Sequence, residues 1–76
     1  MTFSDIIGYI SNLTSHVTFT YNGYSCGIDP ISDNEFIMWY GENERIVKSI
    51  DEVKSEHLFG GKTFADIWND IAELDY

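Results

Sequence analysis

Cations are scarce in this chain. Only 4 Lys and Arg stand against 13 Asp and Glu, a net charge of -9 over 76 residues. Affinity for duplex DNA, RNA and anionic membranes comes largely from basic side chains that displace counterions, so these polyanions are excluded as direct partners. Cysteine is nearly absent as well. A lone Cys26 cannot close an internal disulfide, which argues for a reducing compartment and removes the staple that small secreted domains use. No uninterrupted apolar run approaches the ~18 residues of a membrane span, and no basic segment leads into an apolar one at the amino terminus. The expected location is cytoplasmic, where the Asn12-Leu13-Thr14 sequon has no meaning because glycosylation requires secretion.

What the chain does hold is apolar and aromatic material. Hydrophobic residues make up 43% and aromatics 16%, enough burial to offset backbone ordering and exclude a disordered chain. The length admits one domain, residues 1–76, of modest stability.

Phe3, Ile6, Ile7, Ile10 and Leu13 recur at helical spacing and predict an N-terminal helix capped by Thr2 or Ser4 and weakened by Gly8. In "HVTFTYNGYSCGID" apolar and small polar residues alternate about Asn22-Gly23, the dipeptide suited to a type I′ turn. That turn pairs Tyr21 with Tyr24, Phe19 with Cys26 and Val17 with Ile28 on one face, and leaves Thr18, Thr20, Ser25 and Gly27 on the other. "DPISDN" reads as a break, with Asp29 placed before Pro30 for turn geometry. "EFIMWY" reads as a strand and "RIVKSI" as a fourth strand or extended arm. Ser49 and Glu52 form a capping box for a short helix running to about His57, which Gly60-Gly61 terminates. A last helix is expected from Phe64 to Leu74, striped by Phe64, Ile67, Trp68, Ile71 and Leu74. The expected class is α+β: an N-terminal helix, a three- to four-stranded antiparallel meander, and two C-terminal helices on one sheet face.

The "GGKT" run imitates a phosphate loop and fails its requirements. The glycine needed five residues before Gly61 is Glu56, the preceding segment reads as helix rather than strand, and Thr63 with Asp66 caps the following helix. His16, His57, Cys26 and the Asp29, Asp33, Glu35 group lack the spacing of zinc or calcium ligands. Cys26, opposite Phe19 on the apolar face, behaves as a core thiol rather than a nucleophile. No enzymatic activity and no cofactor are expected.

The third strand sends either Phe36 and Met38 or Ile37 and Trp39 inward, so one set is left for other use. The candidate partner-binding residues are therefore Tyr21, Tyr24, Ile37, Trp39 and Tyr40, with Asp29, Asp33, Glu35, Glu42 and Glu44 as an acidic rim. The expected function is a small acidic protein-interaction module whose partner has a basic surface. The alternatives are a nucleic-acid mimic that inhibits a DNA-handling enzyme, a small-ligand or metal-binding protein, and a homodimer formed through the leftover face.

The stretches "YNG", "GIDPIS", "WYG", "KSIDEV" and "GKTFADIW", over roughly residues 20 to 70, resemble those of a family of short proteins of unknown function encoded by bacteria and their mobile elements. The resemblance implies a fold and a bacterial or phage setting, and assigns a role to no residue.

Overall fold

The structure is a computed structural model that describes residues 1–13 and 15–76; Thr14 of the sequon lies outside the described residues. Helix α1 (Phe3–Ser11) leads into strands β1 (Val17–Tyr21), β2 (Tyr24–Ser32), β3 (Glu35–Tyr40) and β4 (Asn43–Val47). Helices α2 (Ile50–Ser55) and α3 (Phe64–Ile67), a 3-10 turn at Trp68–Asp70 and strand β5 (Ala72–Asp75) complete the chain. The five strands form one antiparallel sheet in the order β4-β3-β2-β1-β5. The class is α+β as expected, with one strand more than the sequence suggested.

The β1–β2 hairpin has the anticipated register: Val17 faces Ile28, Phe19 faces Cys26, and Tyr21 faces Tyr24. Asn22 and Gly23 both take positive φ, 55° and 80°, the pair of values a type I′ turn demands. That turn matches the right-handed twist of the strands it joins, so pairing and turn reinforce each other.

Strand β2 runs straight through Pro30, where a break was expected, and the connection to β3 shrinks to the turn Asp33-Asn34 between Ser32 and Glu35. Asp29 is thus a strand residue rather than a turn former. The Ser25 carbonyl accepts from the Gly41 N–H at 2.9 Å, which aims the backbone of the odd-numbered β2 residues toward β3. By alternation Pro30 faces the β1 side, beyond the last β1 pair at Val17 and Ile28. Its missing N–H costs no ladder bond there.

The C-terminal segment departs most from expectation. Helix α3 ends at Ile67, Ile71 is extended, and Ala72–Asp75 pairs with β1. Thr18 opposes Asp75 and Thr20 opposes Ala72, so β1 residues 18–20 lie against β5 residues 72–75, one residue longer. The extra residue is a bulge at Glu73, whose φ is 56°. This bulge keeps Ile71 and Leu74 on the core side although they lie three apart, a spacing that otherwise signals a helix. Strand pairing prevails because it covers the open edge of β1, and Asn69 and Asp70 are weak helix formers.

The helices lie on one face of the sheet. Ile6 and Ile10 of α1, Val53 of α2, and Phe64 and Ile67 of α3 are buried against Val17, Phe19, Cys26, Ile28, Phe36, Met38 and Val47. Phe19 stacks on Phe64 with centroids 5.3 Å apart, and Phe59 leans on both. Leu58 and Phe59 are buried in the segment between α2 and α3. There Gly60 and Gly61, with φ of 66° and 81°, form a tight turn closed by the Phe59–Lys62 bridge. They do not terminate α2, which ends at Ser55 with Glu56 as its C-cap. Among the described residues no polar or charged side chain is buried, so the core is apolar throughout.

Helix starts follow the sequence. Thr2 and Asp5 form a capping box, as do Thr63 and Asp66, whereas the box expected at Ser49 and Glu52 is only half made, the Ser49 hydroxyl accepting from the Glu52 N–H. The backbone N–H and the hydroxyl of Thr2 hold the Asp5 carboxyl below the usual carboxylate range, and Thr63 does the same for Asp66. A carboxylate whose folded pKa is depressed adds stability above its unfolded pKa of ~3.9, and that contribution disappears as pH falls through the folded value. Between pH 6 and pH 2, the fall in thermal midpoint is expected to be shallower in an Asp5→Asn/Asp66→Asn variant than in the natural chain.

A methyl group added at Gly8 meets nothing within 4 Å, whereas Gly23 needs its positive φ. Urea unfolding is expected to show Gly8→Ala more stable by about 0.5–1 kcal/mol and Gly23→Ala less stable by at least that amount.

Candidate functional site

Register across the sheet decides the fate of each candidate. Phe36 and Met38 point into the core, so Ile37 and Trp39 lie on the opposite face, away from the helices. Two cross-strand rows result. Trp39 sits between Gly27 on β2 and Glu44 on β4, and Thr18 and Asp75 extend that row across β1 and β5. Ile37 sits between Asp29 and Ile46. Ile46 is 58% exposed.

Gly27 has a specific role in this face. A Cβ built there would lie 2.2 Å from Cζ2 and 2.4 Å from Cη2 of Trp39. The six-membered ring of the indole therefore rests on the β2 backbone, in the space a side chain would occupy. This contact explains why Trp39 is half-buried on a face without a helical cover, and why Gly27 itself is buried. Nothing in the spacing of "SCGID" distinguishes this glycine from an ordinary strand weakener. The signal was that register places it beside a tryptophan, and that register depends on β2 continuing through Pro30.

The acidic candidates divide. Asp29 and Glu44 flank the Ile37 and Trp39 rows, and Glu35 begins β3 beside Ser32. Asp33 lies in the β2–β3 turn and Glu42 in the β3–β4 turn at the other end of the sheet. Sequence reasoning missed the acids of β5. The bulge turns the Glu73 side chain toward Thr20, whose hydroxyl donates to Glu73 Oε1 at 3.0 Å, and Asp75 pairs with Thr18. Neither was legible while Phe64 to Leu74 read as one helix.

The tyrosines form a separate group. Tyr21, Tyr24 and Tyr40 share the core-facing side of the sheet at its hairpin-turn end, past the cover of the helices. Tyr40 meets Tyr24 edge-on with centroids 4.9 Å apart, approaches Tyr21 at 6.2 Å and leans on Phe59 at 6.1 Å. The Asn22 amide donates to the Tyr40 hydroxyl at 3.1 Å. The structure thus separates the candidates into an Ile37–Trp39 face and a tyrosine cluster.

Other candidate chemistry is not assembled. Cys26 is buried, its thiol directed at the Tyr24 carbonyl at 3.4 Å, and burial pushes its pKa up. Among the described residues no group of three or more His, Cys, Asp or Glu side chains converges as metal ligands would. Lys62 belongs to the Phe59–Lys62 bridge, and the N-terminus of α3 is already occupied by Asp66. Among the described residues no helix is long and apolar enough to cross a membrane. No family model, curated protein or solved structure matches the chain.

Because the indole occupies the space above Gly27, Gly27→Ala is expected to displace it into water. In a Trp68→Phe background the emission should shift to the red, with a loss of about 1–2 kcal/mol in stability. Unchanged emission would show that the indole does not rest on Gly27 in solution.

Proposed function

We propose that this chain is a non-enzymatic protein-interaction module that docks a basic protein surface on the helix-free face of its sheet. The observation that carries this reading is the arrangement around Trp39: an indole seated on Gly27, with Ile37 and exposed Ile46 in the adjacent row, edged by Asp29 and Glu44. Trp and neighbouring aliphatic groups supply apolar contact area, and a ring of like charge supplies steering and partner choice. Asp75 and Glu73 extend the same sign across β1 to β5. Among the described residues, the strand positions on this face carry no Lys or Arg. Such a surface favours a cationic partner and disfavours a second copy of itself, since two copies would bring carboxylates against carboxylates. A DNA-handling enzyme would be a special case of the basic partner, with the carboxylates standing in for phosphates.

A photo-reactive benzoylphenylalanine at position 46, in cells of the source organism, tests the proposal. The expected product is a cross-link to a protein with a basic surface, which weakens at high salt and falls ~30-fold or more in Trp39→Ala, the effect of losing an interface anchor worth ~2 kcal/mol. Capture that is indifferent to Trp39→Ala and to salt would overturn the reading. A cross-link to a second copy, with sedimentation as a dimer, would replace it with self-association.

A further inference from the structure

The tyrosine cluster borders a cleft of about 400 Å³ lined by Tyr24, Tyr40, Gly41, Glu42 and Asn43. It opens at the hairpin-turn end of the sheet, on the side opposite the Trp39 face, so it rests on observations independent of the function proposed above. Its walls are two phenol rings set edge to face, one fixed and one accessible. Tyr40 is held by Asn22, Tyr21 and Phe59, while Tyr24 is 51% exposed. The floor is backbone. Gly41 has φ of 58°, and a Cβ there would stand 3.0 Å from Cδ1 of Tyr24, so a side chain at this position would be strained and would crowd the ring. Glu42, the next residue, is exposed and, among the described residues, is the only ionised group lining the cleft.

We propose that this cleft is a binding subsite for a cationic side chain, an arginine presented by a peptide or protein. A planar guanidinium stacks on a phenol face, where the ring quadrupole attracts positive charge, and its remaining N–H groups reach a carboxylate in fork geometry. Tyr24 supplies the accessible ring, Glu42 the carboxylate and Gly41 the room for the ring to lie close to the backbone. Asn43 adds an amide able to accept from a further N–H. Among the described residues no cation lines the cleft, so this aromatic and acidic surface has no cationic lining residue for its charge. Arg45 of β4 instead pairs with Glu56 at 3.4 Å.

The test uses the whole chain, ¹⁵N-labelled, and two probes of equal shape: acetyl-Gly-Arg-Gly-amide and its citrulline counterpart, which keeps the planar head and loses the charge. Saturable shifts are expected at the Gly41, Glu42 and Asn43 amides and the Tyr24 ring on adding the arginine peptide, with the citrulline peptide at least ~5-fold weaker. Tyr24→Leu and Glu42→Gln are each expected to weaken binding ~2- to 5-fold, the range of one exposed cation–π contact or one exposed ion pair. Tyr24→Phe, which keeps the ring, should bind as the natural chain does, and so should Trp39→Ala, which alters only the other face. The dispersed spectrum of each variant reports that it is folded. Equal response to both peptides, shifts spread over the acidic surface with no focus at Gly41, or indifference to Tyr24→Leu would each overturn the proposal.

Discussion

The structure depends on the parity of its central hairpin. Once Asn22 and Gly23 adopt the two positive φ angles of their turn, every second residue of β1 and β2 is committed to the helices and the rest to the opposite side. A slip of one residue would carry Phe19, Cys26 and Ile28 into water and bring Thr18, Thr20 and Gly27 beneath the helices. Phe19 anchors the arrangement, since it stacks on Phe64 and packs against Phe59. Those two rings come from segments forty and more residues later, so a local turn sets the frame on which the C-terminal half assembles.

Propagated outward through continuous pairing, the same parity separates the two surfaces proposed to bind partners. Strand β3 takes its register from β2, which sends Phe36 and Met38 to the core and leaves Ile37 and Trp39 outside. The tyrosines share the parity of Cys26 and Met38 but lie past the end of the helical layer, so they meet one another and the Phe59 segment instead of a helix. Charge then distinguishes these surfaces from plain apolar patches. With an apolar core, the excess of acids has only the surface to occupy, and two ion pairs, Arg45 with Glu56 and Lys54 with Asp51, join acids to bases among the described residues. The remaining field is negative and favours encounter with cations.

Two glycines show how backbone conformation and aromatic packing meet. Gly27 lies within a regular strand and is needed for what lies above it, the Trp39 ring. Gly41 has positive φ and leaves space beside Tyr24. At Gly27 the indole occupies the volume that a Cβ would claim, and at Gly41 the Tyr24 ring crowds that volume at 3.0 Å. The thiol of Cys26, by contrast, is absorbed into the core, where desolvation pushes its pKa up.

Local chemistry made much of the fold legible in the sequence: the hairpin and its register, the capping threonines at residues 2 and 63, the serine cap at residue 49, the α1 stripe from Phe3 to Ile10, and the buried place of Cys26; Leu13, expected in that stripe, lies past the end of α1 with φ of 57° and is exposed. Each is decided by a few neighbouring residues acting through turn geometry, capping hydrogen bonds or periodicity. Tertiary structure alone decided the rest. Pro30 stays in its strand because β1 ends before reaching it, a fact about a neighbouring strand. Ile71 and Leu74 mimic a helix, yet the open edge of β1 draws their segment into a bulged strand. Whether Trp39 lies in the core or outside it follows from how β2 continues into β3 across a turn that the proline conceals. Periodicity records which residues avoid water; the pairing of edges between distant segments determines the geometry in which they do so.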